Sequence, residues 1–132
     1  MLSARGWGFW DGVHGGSNLA WFWSASPESD SSFTGFQAAV KRDGDIQFQQ
    51  WLSIDMREWH IYRIELSSSG TSFFVDGVEV GSTPARPRIL HKLDIWIDNY
   101  RVYLVGGELQ LEYLDVGQDQ LMYIDWVKMF ID

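Results

Sequence analysis

The sequence predicts an all-β protein, built as an antiparallel sandwich or barrel. Apolar and polar residues alternate with a period of two along most of the chain, as in strands that have one buried and one exposed face. Turn signals separate these stretches at intervals of about 8–12 residues, which is typical of sandwiches and barrels. Helical signal is limited to one turn, near residues 55–59. We therefore expect about eight to ten strands in one domain that covers residues 1–132.

The first half of the chain contains three well-marked strand patterns. In "SNLAWFWSAS", Trp21 and Trp23 lie on one face and Phe22 lies on the other. After a loop rich in Ser and acids, "FTGFQAAVKR" forms the next strand and ends at the Asp-Gly turn of residues 42–45. The third strand, "IQFQQWLSI", is expected to place its apolar residues mostly on one face and its amides with an indole on the other: Ile46, Phe48, Leu52 and Ile54 against Gln47, Gln49 and Trp51.

The second half of the chain predicts hairpins. "WHIYRIELS" and "TSFFVDGVEVGS" are joined at residues 67–70, and the second of them folds on itself at Asp76-Gly77, a type I′ candidate. "PARPR" (84–88) is a proline-rich connection. The remaining predicted strands lie in "ILHKLDIWIDNY", "VYLV", "ELQLEYLDV" and "QLMYIDWVKMFI".

Charge and composition exclude several classes of function. A net charge of −8 argues against nucleic acid and anionic membranes as partners, and it fits a neutral or cationic partner. The absence of cysteine excludes a disulfide framework, a thiolate nucleophile and a zinc-thiolate site. No apolar run is long enough for a signal peptide or a membrane span. The location therefore stays open, and a soluble, cytoplasmic protein is the default expectation.

The chain carries a surplus of aromatic residues, including eight tryptophans. Such a surplus suggests that some rings face a ligand, although core packing is the alternative for each of them. In "LDIWID", the aliphatic residues Leu93, Ile95 and Ile97 alternate with Asp94, Trp96 and Asp98. We expect the aliphatic face to fill the sandwich and the acidic face with its indole to line a groove.

Indoles beside amides and carboxylates have the composition of a sugar-binding surface. An indole offers a flat platform for the C–H face of a sugar ring, and the polar side chains meet its hydroxyls. Trp59 and Trp126 are instead expected to lie in the core. The candidate carbohydrate-binding residues are Trp96, Asp94, Asp98, Asn99, Trp51, Gln49, Gln47, Trp21 and Trp23.

"EWHIYRIELSSSGTSFFVDGVEVGSTP" (58–84) contains a Trp-His-x-Tyr-x-Ile-Glu strand, a Phe-x-Val-Asp-Gly hairpin and a proline after them. These motifs resemble those of the concanavalin A-like lectin/glucanase superfamily, in particular divergent laminarinase-like glycoside hydrolases of family sixteen. "LDIWIDNY" (93–100) occupies the place of a concave-sheet strand, and "YIDWVKMF" (123–130) resembles the closing strand. "GWGFWDG" (6–12) and "LAWFWSASP" (19–27) resemble earlier strands. The resemblance implies a jelly-roll that binds or cleaves polysaccharides, such as β-glucans, in a concave groove.

The chain departs from the family pattern in two respects. Catalytic members carry Glu-x-Asp-x-x-Glu on a concave strand, whereas the nearest match here, Glu28 and Asp30, has Phe33 in place of the third acid. The chain also begins inside the usual family domain, so we expect one or more N-terminal strands to be lacking. Because a shortened sandwich leaves unpaired edges, we further expect a homo-oligomer or strand exchange.

The acidic residues do not form a recognisable catalytic pair in the sequence. Glycoside cleavage needs two carboxyls about 5–9.5 Å apart. Glu28 and Asp30 have a suitable strand spacing but lie in "SPESDSS", a loop by composition. Asp94 and Asp98 lie about 13 Å apart on an extended strand, too far for either mechanism, which leaves a pairing of Asp98 with an acid of a neighbouring strand, such as Asp125, as the open alternative.

The glycine-rich stretch "FWDGVHGGSN" (9–18) predicts a loop between strands. The loop could form the rim of a groove, or Asp11 with backbone carbonyls could hold calcium; no other cofactor is expected. The three histidines (His14, His60 and His91) are too scattered for a metal site, and His60 is expected to make a hydrogen bond within its strand.

Three functions remain open at this point. The first is a non-catalytic domain that binds an oligo- or polysaccharide. The second is a divergent glycoside hydrolase in which Glu28 and Asp30 are remnant acids. The third is a structural domain in which the tryptophan-rich face is an oligomer interface, since interfaces are also enriched in aromatic residues.

Overall fold

A computed structural model shows an all-β, antiparallel sandwich, as the sequence predicts. The structure describes residues 5–12, 16–25, 35–90, 92–97, 100–105, 108–113 and 121–130. Ten strands lie in these ranges: β1 (Arg5–Trp10), β2 (Leu19–Ala25), β3 (Gly35–Arg42), β4 (Asp45–Trp51), β5 (Tyr62–Ser67), β6 (Gly70–Val75), β7 (Val78–Thr83), β8 (Lys92–Ile97), β9 (Tyr100–Val105) and β10 (Glu108–Tyr113).

The strands form two main sheets and one separate hairpin. Sheet A has the order β4-β3-β2-β1-β8, sheet B has the order β5-β6-β7, and β9 pairs with β10 as sheet C. After three strands in sheet B, the chain returns to place β8 beside β1, a return of the Greek-key kind. The described strands contain one such return rather than the two of a jelly-roll, so the jelly-roll connectivity stays a prediction.

The two Asp-Gly hairpins predicted from the sequence are confirmed. Asp43 and Gly44 have φ angles of 54° and 93°, and Asp76 and Gly77 have φ angles of 51° and 81°. Positive φ at both central residues defines a type I′ turn, whose twist matches that of the flanking strands. The turns fix the register of β3 with β4 and of β6 with β7.

The core lies between sheets A and B and is aromatic. Phe22 packs edge-on against Phe73 of β6, with their ring centroids 5.2 Å apart, and Phe48 stacks on the same ring at 5.9 Å. The small and branched residues Ala20, Ala38, Val40 and Val75 fill the space around these rings, together with Phe36. Burial of this cluster is the main stabilising term of the sandwich.

Four sequence expectations about burial or pairing are wrong. Trp59 and Trp126, expected in the core, are exposed. Leu93, expected to fill the sandwich, is more than one-third exposed, because β8 is the edge strand of sheet A. Residues 121–130, expected to form a strand, have no strand pairing in the described part of the chain.

One further difference concerns the start of β5. The strand begins at Tyr62 rather than at Trp59, because residues 55–58 form the single turn that the sequence suggests, closed by a hydrogen bond from the Glu58 N–H to the Asp55 carbonyl. Among the described residues no helix is long and apolar enough to cross a membrane.

Candidate functional site

The face of sheet A that points away from sheet B carries the sequence-predicted tryptophans. Trp7 and Phe22 of β1 and β2 pack into the core, so their strand neighbours point to the opposite face, called here the outer face. Trp96, expected to point outward, lies on this face because it pairs with Gly6, which neighbours Trp7.

Strand register arranges the outer face in two rows that run across the strands. The first row, called here the Trp row, consists of the directly paired residues Trp96, Gly6, Trp23, Gln37 and Trp51. The second row consists in the same way of Asp94, Gly8, Trp21, Ala39 and Gln49. Neighbouring strands are about 4.8 Å apart, so each row is about 19 Å long, and the indoles of the Trp row are attached about 10 Å apart.

Two glycines of β1 form the floor on which the indoles lie. A Cβ atom at Gly6 would lie 2.5 Å from Cη2 of Trp96, and one at Gly8 would lie 2.6 Å from Cδ1 of Trp21. Any larger residue would therefore collide with an indole. Gly8 also has a φ of 152°, which residues with a side chain rarely adopt. The two rings thus rest against the backbone of β1 instead of standing upright from the sheet.

The indoles on this floor contact one another. The ring centroids of Trp21 and Trp96 are 4.7 Å apart with an interplanar angle of 57°, and those of Trp10 and Trp21 are 5.9 Å apart at 55°. Trp21, Trp23 and Trp96 are all partly exposed rather than sealed between layers. These contacts hold the rings in fixed orientations at low entropic cost.

Amide groups lie at the β4 end of the two rows. The Gln49 Nε2–H donates to Oε1 of Gln37, which is fully buried, and Trp51 beside them is 44% exposed. Gln47, predicted to share this face, lies instead at a β-bulge: Val40 pairs with Phe48 and Lys41 pairs with Ile46, so Gln47 has no partner across the strand pair. This bulge breaks the alternation that the sequence suggests for β4.

Three buried donors on the outer face have no hydrogen-bond partner among the described residues. They are Nε1 of Trp10, Nε1 of Trp21 and Nε2 of Gln37. A buried donor without an acceptor costs about 1–3 kcal/mol, so the face is not an optimised core surface.

One end of the outer face is closed by the loop between β1 and β2. Oδ2 of Asp11 accepts a hydrogen bond of 2.7 Å from the Asn18 N–H, and the Asp11 N–H donates to the Asn18 carbonyl. A Cβ at Gly16 would lie 3.7 Å from Cε3 of Trp10 and 3.9 Å from Cη2 of Trp21, so the loop borders these rings. Asp11, the calcium candidate, thus closes the loop, and no group of three or more metal-ligating side chains occurs in the described ranges.

One side chain of the same loop accepts hydrogen bonds from two other connecting segments. Oδ1 of the buried Asn18 accepts hydrogen bonds from the backbone N–H of Arg88, at 2.9 Å, and of Asp43, at 3.4 Å. Asn18 therefore connects the β1–β2 loop to the β3–β4 turn and to the segment before β8.

Charges on the outer face are concentrated on β8. Asp94 is partly exposed and is the one carboxylate among the described strand residues of the two rows. The Lys92 ammonium lies 5.9 Å from the centroid of the Trp10 ring, at the far limit of a cation–π contact. Asp98, Asn99, Glu28 and Asp30 lie outside the described residues, as do His14 and His91.

A second polar cluster lies at the hairpin of β6 and β7, away from the rows. His60 is placed between two acceptors: its Nδ1 is 2.7 Å from Oδ2 of Asp76 and its Nε2 is 3.2 Å from the Asp55 carbonyl. The bond to Asp76 raises the pKa of His60, and the Ile61 N–H with His60 lowers the pKa of Asp76. His60, expected to bond within its strand, lies before β5 and instead holds the turn of residues 55–58 against the hairpin.

Four residues that shape the outer face were missed by the sequence reasoning: Gly6, Gly8, Trp10 and Gln37. A signal for the glycines exists in "RGWGFW", where they recur with a strand's period of two and therefore mark one face for close approach. Gln37 gives no signal, because its burial depends on the neighbours that the fold supplies.

Comparisons with protein-family models, with curated proteins and with solved structures found no match for this chain. The proposed function therefore rests on the geometry of the outer face.

Proposed function

We propose that the outer face of sheet A binds a carbohydrate chain and does not cleave it. The observation that carries the proposal is the Trp row, in which Trp96, Trp23 and Trp51 recur on every second strand. Each indole can accept the C–H face of one sugar ring. Because the row is about 19 Å long, several times the width of one sugar ring, it suits an oligo- or polysaccharide lying across the strands.

The second row supplies polar groups parallel to these platforms. Asp94 accepts hydrogen bonds, and the amide of Gln49 both donates and accepts. Sugar hydroxyls can both donate and accept hydrogen bonds. These polar groups therefore suit a glycan better than a purely apolar ligand. A glycan that brought oxygen atoms to the buried donors of Trp21 and Gln37 after a small shift of these side chains would also relieve their desolvation cost.

The charge of the protein narrows the class of sugar. The chain has a net charge of −8, and Asp94 adds a carboxylate to the face itself. An acidic polysaccharide would be repelled, so an uncharged glycan such as a β-glucan is the proposed ligand. The sequence resemblance to laminarinase-like domains points to the same sugar class, and we propose a divergent concanavalin A-like jelly-roll as the family.

No observation in the described part of the chain favours the alternative that the protein is a glycoside hydrolase. Hydrolysis needs two carboxyls at a defined separation, and the two rows provide Asp94 alone among their described residues. Glu28 and Asp30 lie outside these residues, so the hydrolase hypothesis depends on an activity assay with a β-glucan.

The proposal is tested by affinity gel electrophoresis in gels that contain a soluble β-glucan. The unsubstituted protein should be retarded, and Trp96→Ala and Trp51→Ala should each reduce the retardation, because each removes one platform. Trp59→Ala is the matched control, since this indole is exposed and its neighbour His60 bonds to the β6–β7 turn, away from the rows. No retardation with any of a panel of uncharged glycans, or an equal loss in the control, would refute the proposal.

A further inference from the structure

Residues 121–130, called here the C-terminal segment, are an apolar stretch that pairs with no strand among the described residues. Eight of the ten residues in "LMYIDWVKMF" are apolar, and many are β-branched or aromatic. Residues on both alternating faces are exposed, among them Tyr123 and Val127 on one and Trp126 and Phe130 on the other. No hydrogen bond joins the segment to another described residue. The segment thus has the composition of a strand buried on both sides, yet most of its apolar side chains are exposed.

The exposed area of the C-terminal segment is large enough for a specific interface. Tyr123, Trp126 and Phe130 are 72%, 53% and 83% exposed. At about 200 Å² for each such side chain, these three leave about 400 Å² accessible. If two chains each bury the segment of the other, this aromatic area is buried twice. The aliphatic residues of the segment and the surface that it covers on the other chain add to the total. The total then exceeds the ~1,200 Å² at which specific interfaces begin.

The sheet edges differ in how well they could accept an added strand. The edge strand β4 carries the bulge at Gln47. The pairing of the edge strand β7 with β6 shifts in register between Phe73 and Phe74. Edge β5 exposes the ion pair of Arg63 and Glu65. Bulges and charges are the features that protect an edge from pairing.

The β8 edge has no bulge, although it too carries two charged residues, Lys92 and Asp94. Its pairing with β1 is regular from end to end, and four of its six residues are apolar. Leu93 on this strand is 37% exposed, and Ile89 just before it is also exposed. Of the edges of the two main sheets, β8 is therefore the one suited to accept an apolar strand.

We propose that the C-terminal segment of a second copy of this chain adds to β8 as a sixth strand of sheet A, and that the exchange is reciprocal. One chain presents both an exposed apolar segment and a regular sheet edge, so two copies complement each other. The charges permit the contact, because the segment carries Asp125 with Lys128 and β8 carries Lys92 with Asp94, leaving each strand neutral.

Cysteine cross-linking tests the proposal directly, because the chain has no cysteine of its own. Chains with Leu93→Cys are mixed with tagged chains that carry one cysteine in the segment, Tyr123→Cys, Asp125→Cys or Val127→Cys, and are oxidised. At least one mixture should give a disulfide-linked pair of tagged and untagged chains. Val78→Cys, an exposed position on sheet B, replaces Leu93→Cys in the control and should give none.

Ultracentrifugation of variants gives the second test. The unsubstituted protein should sediment as a dimer at the higher concentrations of a dilution series. Val127→Pro removes a ladder N–H and should shift it to monomer with the circular dichroism unchanged, whereas Trp59→Asp should leave the dimer intact. A monomer at every concentration, a dimer insensitive to Val127→Pro, or a doubly substituted Leu93→Cys/Val127→Cys chain that links only within itself would overturn the proposal.

Discussion

The glycine floor offers a way to move an indole of the Trp row without deleting it. In Gly6→Ala, the new Cβ would lie 2.5 Å from Cη2 and 2.6 Å from Cζ2 of Trp96, and 2.8 Å from the Phe22 carbonyl oxygen. Carbon atoms pack at about 3.5–4.0 Å, so the indole must move by about 1 Å or more. Because the carbonyl belongs to the backbone, the strand pair must also open slightly, and we expect a stability loss of about 1–3 kcal/mol.

The displaced ring should weaken glycan binding even though every polar group of the two rows remains. Loss of well-oriented stacking by one aromatic ring is worth about 0.5–1.5 kcal/mol, which corresponds to roughly 2- to 12-fold in Kd. Isothermal titration with a soluble β-glucan oligosaccharide measures this change, and denaturant unfolding measures the change in stability.

Gly77→Ala is the matched control for Gly6→Ala. Gly77 lies in the β6–β7 turn with a φ of 81°, and a Cβ there meets no atom within 4 Å. It should therefore lose stability through backbone strain alone and keep its affinity. An unchanged Kd for Gly6→Ala, together with a changed near-ultraviolet circular dichroism spectrum that shows a moved indole, would refute the stacking argument.

Three further predictions concern the scaffold. His60→Gln should lower Tm most between the ordinary pKa values of Asp76 and His60, 3.8 and 6.5. Because the pKa of His60 is raised in the folded protein, its stabilising effect is lost as the pH rises above that pKa. Because the pKa of Asp76 is lowered, its stabilising effect is lost as the pH falls below that pKa. A loss of Tm at about pH 9 equal to the loss between these values would contradict the pairing. Asn18→Ala should cost about 1–3 kcal/mol in urea unfolding, because the N–H of Arg88 loses its acceptor; a loss below about 0.5 kcal/mol would contradict the loop contact. Gly77→Ala should cost about 1–2 kcal/mol, and a neutral effect would argue against the type I′ turn.

Period-two alternation was sufficient to predict the fold class and the face of several residues. In β8, the alternation of Ile95 and Ile97 with Asp94 and Trp96 places the indole away from the core, as the structure does. The Asp-Gly pairs fixed two hairpins because few other dipeptides tolerate two successive positive φ angles. Local chemistry decides both features, so a sequence can reveal them.

Features that depend on distant neighbours could not be predicted in this way. Nothing in "DIQFQQW" marks Gln47 as the extra residue of a bulge, since the bulge is defined against β3. Trp59 and Trp126 have the composition of core residues, but the sheet topology leaves both uncovered. Hydrophobicity predicts a need for burial and does not specify the surface that provides it.

The most direct test of the account is an NMR titration of the indole Nε1–H signals of the eight tryptophans with a β-glucan oligosaccharide. If a glycan lies along the Trp row, the signals of Trp96, Trp23 and Trp51 should shift together with one Kd, and the signal of Trp21 beside them should follow. The signal of Trp59 should not move. A shift confined to Trp59, or no shift at all for any uncharged glycan, would contradict the assignment of the outer face as the binding surface.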